Sequence, residues 1–303
     1  MRWPTSLDKK IKSRVDLSAY TSFRIGGEAR FFFEPRDLKE LREALVFAGN
    51  KHIPVLVLGE GSNILVNDAG VEALVIKLAG KDFKDLRVNG TYLRAGCGLK
   101  LNRILSAAKE RGLSGLEFLA GIPGTLGGAL MGNAGAWGRS IGDLVEEVSV
   151  LDYNGKPKLL KKKQLEFGYR RSNLFKYIII EAKLKLVQGE PREIAASANR
   201  FLREKKLRQG NNLPNAGCVF KNPMAAASGG QGINNLSAGK LIDACGLKGR
   251  SAGGAVISSL HANFILNKEK ARSKDVLSLM RLARREVQKR FKITLEPEIR
   301  IWS

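Results

Sequence analysis

The residues best suited to chemistry in this chain of 303 residues are, first of all, its glycines. In the stretch 119–138, LAGIPGTLGGALMGNAGAWG, glycine stands at 121, 124, 127, 128, 132, 135 and 138, and the only polar side chains are Thr125 and Asn133. Glycine bares the backbone N–H groups and removes the Cβ that would keep a ligand away, so such a run suits an anion or a flat ring. Leu119, Ile122, Pro123, Leu126, Leu130, Met131 and Trp137 thread through it, which a flexible linker does not need. No ordinary helix or strand is expected from so many glycines. A second loop points the same way. The run 54–58, PVLVL, reads as a buried strand leading into Gly59, Glu60, Gly61, Ser62 and Asn63. Ile64 replaces the third glycine of a dinucleotide fingerprint and no helical pattern follows, which speaks against a Rossmann turn. A strand running into a Gly/Ser/Asn turn can still form a nest of N–H donors for a diphosphate. Two such loops suggest one extended ligand with a pyrophosphate and a flat ring.

Titratable candidates are fewer. His52 and His261 are the only histidines, and neither has a paired nucleophile or metal-ligand spacing, so both read as structural. Cys97, Cys218 and Cys245 are far apart and odd in number, with no CxxC pair. That indicates neither a zinc site nor a disulfide framework and fits a reducing compartment. Gly239–Lys240 ends the only Walker-like candidate, and its spacing from Gly232 is wrong.

Around these residues the apolar pattern sets out alternating elements. Strand-like runs at 29–34, 53–58 and 74–78 surround a helix that Asp37 caps and that continues to about 47, with Leu38, Leu41, Leu45 and Ala48 on one face. A strand at 92–95 precedes a helix over 99–111, for which Gly112 supplies the C-terminal stop. Strands follow at 148–152 and 178–187, with a hairpin-type turn at Asn154–Gly155. A helix near 191–208 gathers Arg203, Lys205, Lys206 and Arg208 at its C-terminal end, where cations suit the helix dipole. The segment 210–231 reads as loop-rich, 260–266 as a strand, 274–291 as a helix capped by Ser273, and 299–302 as a last strand.

The chain carries 52 Lys and Arg against 29 Asp and Glu, a formal charge of +23. The basic residues are dispersed and not interleaved with aromatics, and no nucleic-acid motif appears. An anionic small substrate with a solvated basic surface is favoured over nucleic acid, although so large an excess exceeds what a small ligand needs. The N-terminal segment has no apolar h-region and no apolar run reaches membrane-spanning length, which points to the cytoplasm.

Several motifs in order carry a family resemblance over almost the whole chain from Tyr20: TSFRIGG at 21–27, LGEGSNILV at 58–66, the run GIPGTLGGALMGNAGAWG at 121–138, YRRSNLFK at 169–176, NAGCVFKNP at 215–223, AGKLIDACGLKG at 238–249 and LEPEIR at 295–300. Together they resemble the UDP-N-acetylenolpyruvoylglucosamine reductases (MurB), in the vanillyl-alcohol-oxidase-type flavoprotein superfamily. The resemblance implies bound FAD, NADPH as co-substrate and a UDP-sugar substrate. The implied reaction reduces an enolpyruvyl ether to UDP-N-acetylmuramate in peptidoglycan precursor synthesis. Gly59, Glu60, Gly61, Ser62, Asn63, Gly121, Ile122, Gly124, Thr125, Gly128, Asn133, Ala134 and Gly135 match cofactor-binding positions. Tyr169, Arg203, Lys206 and Asn222 fall in substrate-binding positions, where a lysine serves as a point charge on phosphate. Arg170 matches the arginine that polarises the substrate carboxylate, with Arg171 as its spare neighbour. Glu298 matches a glutamate that assists it, with Glu296 as competitor. Cys218 stands where the family commonly has serine, the donor of the proton that quenches an enolate-like intermediate. A thiol, with a reference pKa of about 8.5, keeps that capacity and is expected to shift the pH profile. The spacing from Arg170 to Lys206 leaves no room for the extra loop with a substrate-closing tyrosine, so the chain resembles the second, loop-lacking type.

The implied fold is α+β: a two-part flavin domain of the PCMH type and a C-terminal substrate domain. The boundaries fall at 1–80, joined by the C-terminal strand 296–303, at 81–190 and at 191–295. Two rival readings remain. One is another FAD-dependent oxidoreductase of the same superfamily. The other is a basic nucleic-acid-binding protein without activity, for which salt-dependent DNA binding without flavin would be diagnostic.

Overall fold

Alternating apolar residues in the N-terminal region require a partner layer, and the computed structural model, which describes residues 3–209, 213–223 and 237–303, provides it. Strands Lys12–Asp16, Glu28–Phe33, Val71–Lys77 and Val55–Leu58 form one sheet in that order. The last two run parallel, with Val55 opposite Leu74. Helix Leu38–Asn50 packs Leu41, Ala44, Leu45 and Ala48 into one cluster with Phe31, Phe33, Leu74 and Ile76. Asp37 caps this helix as expected, its carboxylate accepting from the Glu40 N–H at 2.9 Å.

The chain divides into two units. Residues up to Val15, Arg30–Glu60 and Glu72–Lys205 form the first. Asp16–Ala29, Gly61–Val71 and the described part of Lys206–Ser303 form the second. The first unit holds a further sheet of five antiparallel strands in the order Pro157–Lys161, Val145–Leu151, Ile178–Lys185, Tyr92–Gly96 and Leu86–Asn89. Helix Leu101–Glu110 buries Leu101, Ile104 and Ala108 in the core shared with this sheet. Gly112 follows it at φ +61, the left-handed stop that glycine makes cheap. Helix Pro191–Gln209 opens on proline, whose missing N–H costs nothing in a first turn.

The glycine run departs from expectation. It contains a short helix, Leu126–Met131. The Leu126 and Gly127 N–H groups donate to the carbonyls of Leu99 and Cys97, each at 2.9 Å. A Cβ on Gly127 would stand 3.1 Å from the Cys97 oxygen. Contact with the 97–101 segment therefore offsets the propensity cost of the glycines and explains one of them.

The second unit packs helices Ala238–Ala244 and Ser273–Phe291 with a three-stranded sheet, Ser251–Ala252, Ala255–Ile257 and Ile265–Asn267. Its core joins Phe23, Leu65, Phe220, Leu241, Val276 and Val287. The last strand, Arg300–Trp302, lies parallel to Ile64–Val66. The strand expected over 260–266 shrinks to Ile265–Asn267. The residues before it turn, with the Ser258 hydroxyl accepting from the N–H groups of Leu260 and His261 at 3.2 and 3.3 Å. Ser273 does not cap its helix. Asp68, distant in sequence, does so: its carboxylate accepts from the N–H groups of Ser273 and Lys274 at 2.8 and 3.3 Å. Segment 213–223 is irregular, with isolated bridges only. The rest of the expected 210–231 loop lies outside the described residues.

Candidate active site

In the first unit the two glycine loops meet. Thr125 caps helix Leu126–Met131, its hydroxyl accepting from the Gly128 N–H at 3.3 Å. A Cβ on Gly59 would stand 2.8 Å from that same hydroxyl. Glu60 pairs with Lys100 at 2.7 Å, and Lys100 bridges to Thr125. Gly124 accepts from the Leu101 N–H at 3.0 Å. Gly121, at φ +73, accepts from the Lys205 ammonium at 2.5 Å.

The glycines of the run separate into two groups. A Cβ at 127 or 135 would crowd protein backbone, at 3.1 and 2.5 Å. A Cβ at Gly128 would meet only the Thr125 hydroxyl, at ordinary contact distance of 3.7 Å, and Gly128 is exposed. Its missing side chain serves no packing within the protein. It leaves bare backbone beside the Thr125 cap, the surface a flat ring or a phosphate requires. The residues present therefore fit a flavin nucleotide.

Arg170 sits where backbone is costly. Strands Phe167–Gly168 and Arg171–Ser172 form a hairpin joined by Tyr169 and Arg170. Arg170 has φ +56, a conformation that costs a side-chain-bearing residue about 1–3 kcal/mol. Its Nη1 donates to the Gly135 carbonyl at 3.1 Å, and its guanidinium lies 5.4 Å from the Tyr169 ring centre. Tyr169 itself is 43% exposed. A second hairpin, Gly135–Ala136 with Arg139–Ser140, carries Trp137 at φ +57, stacked on Phe201 at 5.5 Å.

In the second unit Cys218, Glu298 and Asn63 come together through backbone. Cys218 bridges to Phe264, and Phe220 bridges to Pro297. The Glu298 N–H donates to the Val219 carbonyl at 2.8 Å. Asn63 donates through Nδ2 to the Glu298 carbonyl at 3.2 Å, and its own carbonyl accepts from the Arg300 N–H at 2.9 Å. Gly61, at φ +62, fits against the Tyr20 carbonyl, where a Cβ would come within 2.2 Å. The chain passes from one unit to the other between Glu60 and Gly61.

The remaining candidates are placed as follows. Arg203 and Lys206 are exposed on helix Pro191–Gln209. Asn222 is exposed and accepts from the Ala238 N–H at 3.0 Å. Cys97 is fully buried, and burial together with Glu181 pushes its thiol pKa well up. Burial raises Cys245 as well. Cys218 is half-buried. His261 belongs to the turn before Asn263, its Nδ1 accepting from the Asn263 N–H at 3.2 Å, and burial lowers its pKa. Among the described residues no cluster of His, Cys, Asp and Glu could hold a metal ion, and no helix is long and apolar enough to cross a membrane.

Sequence reasoning missed Asn263. It is 2% exposed, accepts from the Phe220 N–H at 3.0 Å and donates to the Phe220 carbonyl at 2.8 Å. Its only signal is an asparagine set between Ala262 and Phe264 in an otherwise apolar run.

A glycine-cradled site on an α+β frame defines an FAD-binding flavoprotein, and residues 29–160 match the FAD binding domain. Residues 208–302 match the C-terminal domain of UDP-N-acetylenolpyruvoylglucosamine reductase. The reductase of Synechococcus sp. is 41% identical over 97% of this chain and 92% of its own length. That of Moorella thermoacetica is 38% identical over 98% and 95%. The crystal structure of the Thermus caldophilus enzyme (MurB) superposes with a TM-score of 0.82 at 37% identity, covering 97% of this chain and 99% of the other. The chain belongs to the UDP-N-acetylenolpyruvoylglucosamine reductase family.

Proposed function

We propose that this protein reduces UDP-N-acetylglucosamine enolpyruvate to UDP-N-acetylmuramate, with FAD bound and NADPH as donor, in the cytoplasm. The observation that supports this best is Arg170, a strained cation whose guanidinium is anchored on Gly135 of the glycine run. Strain of this kind persists where the surroundings enforce it, and it gathers at functional sites. Gly59 to Asn63, Gly121, Ile122, Gly124, Thr125, Gly128, Ala134 and Gly135 would hold FAD, which would supply hydride transfer between the nicotinamide and the enolpyruvyl group. Arg170 binds the substrate carboxylate and stabilises the negative charge that develops on it. Glu298 assists that polarisation. Cys218 gives its thiol proton to the enolate-like carbon and is left as a thiolate, reprotonated from water before the next turnover. Lys206, Arg203 and Asn222 bind the diphosphate portion and Tyr169 borders the substrate.

The test is the visible spectrum under anaerobic conditions. A yellow protein is expected to bleach with NADPH and regain its colour with the enolpyruvyl substrate. A protein that bleaches but ignores that substrate would sink the substrate assignment. One that stays colourless with added FAD would sink the enzyme itself.

A further inference from the structure

Three hydrogen bonds join the Arg170 hairpin to the glycine run, at alternate residues on both sides. Ser172 donates from its hydroxyl to the Met131 carbonyl at 3.1 Å. Asn133 donates from Nδ2 to the Gly168 carbonyl at 3.0 Å. Arg170 donates to the Gly135 carbonyl at 3.1 Å. The middle bond is the only one of the three made by a side chain of the glycine run. Asn133 is 7% exposed and stands at φ +43, a conformation that asparagine tolerates better than other side-chain-bearing residues. Its Oδ1 accepts from the Gly142 N–H at 3.0 Å. A donor on one side and an acceptor on the other leave one amide orientation that satisfies both.

We infer that Asn133 is a positioning residue for the reductive step: its carboxamide clamps the hairpin that aims Arg170 at the substrate carboxylate, and it is not a cofactor ligand. This rests on the role proposed above for Arg170. The amide has one end on Gly142 and the other on Gly168, inside the protein, so its bonding is directed to the hairpin. An arginine on a long flexible side chain needs such support, because a displacement of about 1 Å in a charged partner can cost on the order of 100-fold in rate. The clamp also links the two halves of the chemistry. The same segment that offers bare backbone at Gly128 fixes, through residues 131, 133 and 135, where the carboxylate-binding cation stands.

Two variants separate the roles. Asn133→Gly keeps the left-handed backbone and deletes the clamp. Asn133→Asp keeps size and the Gly142 contact but cannot donate to Gly168. Each is measured by flavin content, by the rate of bleaching with NADPH, and by the rate of reoxidation with the enolpyruvyl substrate. Expected are normal flavin content, bleaching within about twofold of the parent, and reoxidation slowed on the order of 10- to 100-fold. In an Arg170→Ala background, Asn133→Gly is expected to add no further loss in reoxidation. Loss of flavin with normal reoxidation per bound flavin would overturn the inference and restore a cofactor role. An undiminished effect in the Arg170→Ala background would overturn it too. If Arg170→Ala alone leaves reoxidation unchanged, the reading of Arg170 has failed, and the inference falls with it. If the glycine variant does not accumulate, the aspartate variant is read through the same comparisons.

Discussion

Arg170 and Cys218 are held in place by different means. Arg170 rides a two-residue hairpin turn whose frame is tied down by side chains, Asn133 on Gly168 and Ser172 on Met131. Cys218 lies in a segment that is laddered by backbone on both edges, with Val219 donating to the Asn263 carbonyl at 2.9 Å and accepting from the Glu298 N–H at 2.8 Å. Each region uses a buried asparagine, but for different ends. Asn263 replaces a missing strand neighbour by pairing with both backbone groups of Phe220. Asn133 joins a turn to a loop. The difference teaches that the cation proposed to orient the carboxylate is set by a few replaceable contacts, whereas the thiol proposed as proton donor is set by the main chain itself. Substitution of the supporting asparagine should therefore damage rate in the first region and stability in the second.

The largest effect sharpens the comparison at the chemistry itself. Cys218→Ala is expected to slow reoxidation by the enolpyruvyl substrate about 10²- to 10⁴-fold, the usual range for losing a general acid, with bleaching by NADPH unaffected. Cys218→Ser should recover much of the rate with an altered pH profile, because the backbone ladder places either side chain alike. Stopped-flow reoxidation decides this, and an alanine variant of parental rate would remove Cys218 from the reaction.

Next comes stability. Asn263→Ala strands the buried N–H and C=O of Phe220, and each stranded group costs about 1–3 kcal/mol. A loss of about 3 kcal/mol in urea unfolding is expected. Asn133→Gly should cost about half of that or less, since its bonds to Gly168 and Gly142 are only part-buried. Equal losses from the two variants would break the comparison.

These contrasts explain what could be read from the sequence. Helix Leu38–Asn50 and its Asp37 cap were legible because a local polar group and a 3.6-residue apolar period act within one segment. The same holds for Leu101–Glu110 and Gly112. Helix Leu126–Met131 was not, because one of its glycines, Gly127, answers to the carbonyl of Cys97, far off in sequence. The cap of helix Ser273–Phe291 was misread for a related reason: Ser273 is the nearest polar residue, but Asp68 makes the bonds. At the site, Arg170, Cys218 and Glu298 were named through resemblance, since nothing in their spacing brings Glu298 beside Val219. Thr125 and Asn133 stood out as the only polar residues of the glycine run. Their partners, the Gly128 N–H and the Gly168 carbonyl, carry no sequence signal at all.

The smallest expected effect extends the contrast to two carboxylates. In the first unit Glu40 is nearly buried, and burial alone would raise its pKa. Hydrogen bonds from the side chains of Arg36 and Lys10 and from the Arg36 N–H outweigh this and bring it down to about 2. In the second unit burial likewise opposes the lowering of Asp68, which bonds to Ser273 and Lys274 achieve. Both folded-state values lie below the unfolded ones, so both groups stabilise the fold above the unfolded pKa, about 4.3 for Glu and 3.9 for Asp. That stability is lost as pH falls, for Glu40 between about 4.3 and 2. Arg36 is largely exposed, which leaves about 1–2 kcal/mol for Glu40 after screening. Losing the helix cap costs about 1 kcal/mol in Asp68→Ala. Salt separates the two. Glu40 depends on cationic side chains that reach solvent, so the cost of Glu40→Gln should shrink in 1 M salt, where the screening length is about 3 Å. Asp68 bonds mainly to backbone N–H groups at a helix end, so the cost of Asp68→Ala should persist. Urea unfolding at pH 7 and pH 3, with and without salt, reads both. A cost at Asp68 that vanishes with salt as fast as the one at Glu40 would show that the second unit, too, relies on side-chain charge rather than on its main chain.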